Sequence, residues 1–276
     1  MPLKALLKKT RMKILAKKNK FFLSLVCLGL FACNANSPEN KILLAERFLE
    51  DKKYDAAISE LQDLVDKSPS SQIGQEAQLK IAKIQQLYLG RTKDAIQSYQ
   101  ASLKYNHDEK ARLEIEKTLA DLQFQTFENY ENAVASYKKL IQDNPNDPEV
   151  EHYLFNIGRA LFFKTQFADS IHVYEQLKAK FPNGKYAKKV DLEIGNALSS
   201  EGKCKEAIKQ FDKVIATGDG ESRPLATFNQ ALCYEEQDDL DKAYELLSSI
   251  KSQYPSPNVV VLKMQKIKRR KILRKR

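Results

Sequence analysis

Tryptophan is absent from this 276-residue chain, and glycine and proline are sparse at nine each. So few turn formers exclude the sandwiches and barrels built from many short strands, and they exclude collagen-like or low-complexity chains. Only three histidines occur, His107, His152 and His172, each in a different part of the chain. They are read as surface or packing residues, and no metal site or cofactor is expected. A glycine-rich phosphate loop, HExxH, CxxC and GxSxG are all missing, so no catalytic constellation is expected and the chain is read as a non-enzyme. Long apolar runs are missing too. The longest, residues 21–32, would span roughly 18 Å as a helix, too short for a hydrocarbon core of about 30 Å. What remains is rich in Ala, Leu, Lys, Glu and Gln, and 42% hydrophobic. That composition favours an all-α fold with a buried core.

The net charge of +10 is concentrated at the ends. Residues 1–20 carry eight Lys or Arg and residues 263–276 carry nine, with no acid in either stretch. Of the 46 bases, 29 remain between 34 and 262 against all 36 acids, so the body is net −7. Nucleic-acid binding by that body is not expected, because counterion release needs a continuous basic footprint.

Residues 12–33 read MKILAKKNKFFLSLVCLGLFAC: a basic segment, an apolar run, then a small residue before cysteine. This order is that of a secretory signal, and Met12 makes a more ordinary start for one than Met1. The ending Leu30-Phe31-Ala32-Cys33 resembles the lipobox of bacterial lipoproteins. The resemblance implies a lipid on the Cys33 sulfur and a mature chain that starts there. An uncleaved signal anchor with an incidental cysteine is the alternative. Asn34 differs from the Asp that resembles an inner-membrane retention signal, so the expected location is the periplasmic face of the outer membrane.

One pattern recurs six times along the body. Its small residues are Ala57, Ala95, Ala133, Ser170, Ala207 and Ala243, spaced 38, 38, 37, 37 and 36 apart. Four positions later stand Leu61, Tyr99, Tyr137, Tyr174, Phe211 and Leu247, which puts one apolar stripe on a helix. A preceding helix carries its own small residue at Ala45, Ala82, Ala120, Gly158, Gly195 or Ala231, where two helices can approach closely. Pro69, Pro145, Pro182 and Pro255 follow twelve residues after their small residue and end the second helix of the pair. This pattern resembles the tetratricopeptide repeat over about residues 38–255. The resemblance implies a right-handed superhelical solenoid of about six helical hairpins, each burying its stripe against its neighbours. Three segments follow: a signal over 1–33, the repeat array over 34–255, and a capping helix with a basic tail over 256–276. Val260, Met264 and Ile267 sit at helical spacing to cover the last hairpin.

Repeat proteins of this kind use the inner face of their first helices as a peptide groove. In EVEHYLFNIGRALFFK, residues 149–164, Leu154, Ile157, Gly158 and Leu161 are expected to be buried. Phe155, Arg159 and Phe162 are then left on the other face as a candidate peptide-binding patch. Packing of Phe162 and Phe163 on adjacent helices is the alternative. A clamp for acidic chaperone tails would need Lys and Asn one turn apart. Asn196 fits and Leu192 does not. Cys204 and Cys233 are an even pair left for an oxidising compartment, at the start of one helix and late in its antiparallel neighbour. They can bridge, or pack as two small hydrophobes.

A lipidated cysteine followed closely by repeats resembles the BamD-like lipoproteins of outer-membrane assembly. The stretches that carry this are LLAERFLEDKKYDAAISELQDLVDKSPSSQIGQEAQLKIA and KFPNGKYAKKVDLEIGNAL. Six units and a basic tail depart from the usual five units. The resemblance implies a protein-binding scaffold whose partners are barrel-assembly components or unfolded outer-membrane proteins. A CpoB-type coordinator of envelope and peptidoglycan machinery is a second reading, although no heptad region precedes the first unit. A surface lipoprotein whose basic tail grips an anionic polymer is a third.

Overall fold

The computed structural model describes residues 37–126, 129–218 and 220–274. Among them are thirteen α-helices and no strand. The described residues form two compact units, the first ending at Ile115 and the second beginning at Glu116.

The first unit contains α1 (Pro38–Glu50), α2 (Tyr54–Lys67), α3 (Gln72–Leu87), α4 (Thr92–Tyr105) and the opening of α5 (Glu109–Gln125). The second contains the rest of α5, then α6 (Tyr130–Asp143), α7 (Val150–Phe163), α8 (Phe167–Lys180), α9 (Ala187–Ser200), α10 (Cys204–Thr217), α11 (Ser222–Glu236), α12 (Leu240–Ser249) and α13 (Pro257–Arg274).

The small residues lie where the period places them. Ala57, Ala95, Ala133, Ser170, Ala207 and Ala243 are wholly buried, and the aromatic or leucine four positions later is at most 3% exposed in all six helices. Ser170 replaces alanine without leaving an orphan donor, because its hydroxyl donates to the Gly158 carbonyl at 2.8 Å. At the α7–α8 crossing a Cβ on Gly158 would stand 2.3 Å from the Tyr174 ring, and at the α9–α10 crossing one on Gly195 would stand 2.4 Å from the Phe211 ring. Glycine is therefore what lets these two large rings be fully buried.

The turns inside the hairpins repeat a backbone solution. Lys52, Gly90, Thr165, Gly202 and Asp238 each take positive φ just after a first helix. In four of these turns the next amide donates back across it, Lys53 to Phe48, Gln166 to Leu161, Lys203 to Leu198 and Asp239 to Tyr234. Such bonds use carbonyls that the helix end leaves unpaired.

Helix α13 covers the last hairpin through Val260 and Ile267, both fully buried, with Met264 partly buried beside them. Several of its basic residues have acidic partners. Lys263 Nζ lies 2.6 Å and Arg270 3.0 Å from the buried Glu235 carboxylate, while Arg274 pairs with Asp238 and Lys271 with Asp241. Part of the basic tail is thus what docks the cap.

Candidate peptide groove

Three first helices of the second unit, α7, α9 and α11, present side chains to one groove of about 390 Å³. From α7 come Arg159, Phe162 and Phe163; from α9, Glu193, Asn196, Ser199 and Ser200; from α11, Asn229 and Leu232. The buried Tyr174 ring of α8 lies behind them. Arg159, Asn196 and Leu232 each directly follow the small crossing residue of their helix, and Glu193 and Asn229 each precede it by two. Because the small residue must face the partner helix of its own hairpin, these offsets face elsewhere.

The polar groups form a ladder across helices. Asn229 Nδ2 donates to Asn196 Oδ1 at 2.7 Å, and Asn196 Nδ2 donates to Glu193 Oε2 at 3.2 Å. An amide side chain has two donor hydrogens and an oxygen with two lone pairs, so each asparagine keeps bonding capacity for a main chain laid along the groove. The aromatic end is held by Arg159, whose guanidinium sits 4.9 Å from the Phe124 ring centroid and 5.8 Å from that of Phe163. Phe163 stacks on Tyr130 at 5.1 Å yet stays 45% exposed, leaving apolar surface for a ligand.

The expected patch needs correction. Phe155 is only 7% exposed and stacks on Tyr186 at 4.4 Å, within a cluster of Tyr174, Leu177, Val190 and Ile194. It is a core residue. Leu154, expected in the core, is half-buried. Arg159 and Phe162 do line the groove, although Phe162 also packs edge-on against Phe163 and Phe167. Helical spacing marks Phe163 only as a packing residue and Asn196 only as half of an acidic-tail clamp, and it marks neither Glu193 nor Asn229. Their offset from the small residues is the signal that finds them.

Beside this groove lies a polar network. Tyr137 donates to Asp121 Oδ1 at 2.5 Å, and His152 contacts Asp121 at 3.2 Å and the Tyr186 hydroxyl at 3.1 Å. Asn156 Nδ2 donates to the Tyr137 hydroxyl at 3.0 Å. Burial raises the Asp121 pKa, but the bonds from His152 and Tyr137 outweigh it and hold the carboxyl below its ordinary value. Among the described residues no three His, Cys, Asp or Glu groups gather as metal ligands.

Cys204 and Cys233 are both buried free thiols in one apolar cluster with Ala207, Phe211 and Val214. Cys204 opens α10 and Cys233 stands in the last turn of α11. Cys204 Sγ donates to Glu236 Oε2 at 3.1 Å, and Cys233 Sγ to Ser199 Oγ at 3.2 Å. Burial first, then these neighbours, push the Cys204 thiol well above its ordinary pKa. Cys33 lies outside the described residues.

Family models described as tetratricopeptide repeat match residues 76–106, 118–147 and 153–184, and a second model of that description matches 192–256. The chain carries tetratricopeptide repeats. The matched segments include every residue that lines the groove. No curated protein sequence matches the chain. Among solved structures it is similar to the C-terminal part of a TPR repeat-containing protein from Cytophaga hutchinsonii, at TM-score 0.57 and 19% identity, covering 88% of this chain and 95% of that one. It is also similar to PilW, described as a widely conserved type IV pilus biogenesis factor, at TM-score 0.51 and 18% identity over 81% and 98% of the two chains. A third, YrrB, is described as a TPR protein with an unusual peptide-binding site, at TM-score 0.50 and 15% identity over 74% and 97%. At these identities the likeness concerns the fold. Tetratricopeptide repeats bind protein or peptide partners, and this chain has the fold of a protein-interaction scaffold.

Proposed function

We propose that this protein is a lipid-anchored scaffold of the outer membrane that holds a polypeptide in the groove of α7, α9 and α11. The observation that carries this reading is the hydrogen-bonded row Asn229–Asn196–Glu193, which joins α11 to α9, beside the exposed Phe163 ring of α7. Amide side chains recognise a main chain whatever its sequence, while the Phe163 surface selects an apolar or aromatic side chain. That combination suits a client in extended conformation. The signal at residues 12–33 and the resemblance to BamD-like lipoproteins favour a role in outer-membrane protein assembly, with barrel-assembly components or unfolded outer-membrane proteins as partners.

The test is a photo-crosslinking residue at Ser200, an exposed groove position, followed by identification of what it captures in intact membranes. Capture of outer-membrane assembly components or their clients, lost in Asn196→Ala with Asn229→Ala, supports the proposal. Such half-exposed substitutions should leave the thermal melt nearly unchanged. Phe155→Ala, by contrast, should destabilise by about 3 to 5 kcal/mol as a core truncation. Capture that survives the double asparagine variant would refute the groove. Capture confined to peptidoglycan machinery would refute the assembly role.

A further inference from the structure

Helix α13 uses one edge to cap the array and has a second edge that the fold does not use. Opposite Val260 and Ile267, at i, i+4, i+7 and i+11, stand Leu262, Lys266, Arg269 and Leu273, flanked by Val259 and Ile272. Leu262 is 65% exposed, Leu273 62% and Ile272 50%. Lys266 and Arg269 are exposed and, unlike Lys263, Arg270, Lys271 and Arg274, enter no ion pair among the described residues. No Asp or Glu follows Glu245 in the sequence.

We propose that this edge of α13 lies flat on a bilayer containing anionic phospholipid. Leu262, Ile272 and Leu273 then sit at the boundary between headgroups and acyl chains. Lys266 and Arg269, with stems long enough to run along apolar surface, place their charges at lipid phosphates. Capping the array requires none of these five side chains. Duplex nucleic acid would satisfy the charges but leave the apolar side chains in water, and a second copy of α13 would set like charge against like. A crossing is excluded for this helix, since no helix among the described residues is long and apolar enough to span a membrane. The inference does not rest on the peptide groove.

The absence of tryptophan makes the test direct. Full-length protein carrying Leu262→Trp has a single indole, which reports α13 alone even if the amino-terminal segment also binds lipid. With vesicles of phosphatidylcholine and phosphatidylglycerol its emission should shift to the blue and be quenched by brominated acyl chains. With phosphatidylcholine alone it should not. Raising salt from 0.1 M to 1 M should reverse the shift, because the Debye length falls from about 10 Å to about 3 Å. Adding Lys266→Gln and Arg269→Gln should weaken the α13 response by roughly thirtyfold, with an unchanged melt. Leu273→Trp is the second reporter, should Leu262→Trp disturb the fold. Unchanged emission from both reporters, an equal shift on neutral vesicles, or a shift produced only by duplex DNA or by protein concentration would each overturn the proposal.

Discussion

Single side chains show how far helical spacing can be trusted. Phe155 and Phe162 stand at i and i+7, so spacing alone assigns them to one face. The structure separates them because Tyr186, thirty-one residues further on, closes over Phe155 and makes it core. The side chain that covers a position comes from the next hairpin, and no pattern within α7 reports it. Cys204 and Cys233, at the start of α10 and in the last turn of the antiparallel α11, are both buried in one apolar cluster. If the chain is exported, this pair is expected to bridge. Protein isolated without reductant should then show no free thiol from either position after denaturation. After reduction, Cys204 should alkylate slowly in the folded protein, because burial and its neighbours disfavour the thiolate. Two free thiols in the unreduced sample would show that the pair only packs.

At the scale of elements, the hairpin is set by a few positions and the cap by charge. Small residues allow close crossing, and a turn residue at positive φ reverses the chain. The cap adds an electrostatic lock. Burial works against ionised Glu235, yet the hydrogen bonds and charges of Lys263 and Arg270 hold its pKa below the ordinary value. A carboxyl with a depressed folded pKa contributes stability above its unfolded value, about 4.3, and loses it as pH falls through the folded value. The melting temperature of the wild type should therefore exceed that of Glu235→Gln at neutral pH, and the gap should close below about pH 4. Hydrogen exchange in α13 should rise over the same range. A gap that persists unchanged into strong acid would mean that the ion pairs do not hold the cap. The basic tail was legible in the sequence as an excess; that four of its charges lock the cap depended on where Glu235, Asp238 and Asp241 fall in the fold.

For the whole molecule, the proposed amino-terminal signal and the repeat array are tested separately. Cys33→Ser should yield a precursor that keeps its signal, and intact-mass analysis of wild-type protein should show a mature chain beginning at an acylated Cys33. An unlipidated mature chain cut elsewhere would refute the anchor. The sequence alone determined the all-helical class, the number of hairpins and the buried stripe, because those depend on a period of 36 to 38 residues repeated six times. It also carried Arg159 and Phe162 into the groove, since they lie off the stripe of their own helix. Only the tertiary structure decided that Phe155 is core, that Asn196 meets Asn229 across two helices, and that Leu262, Lys266, Arg269 and Leu273 form a free edge. The physical reason is range. Periodicity records what one helix must bury against its own hairpin, whereas a groove or an unused edge is defined by side chains more than thirty residues apart, or by the absence of any neighbour.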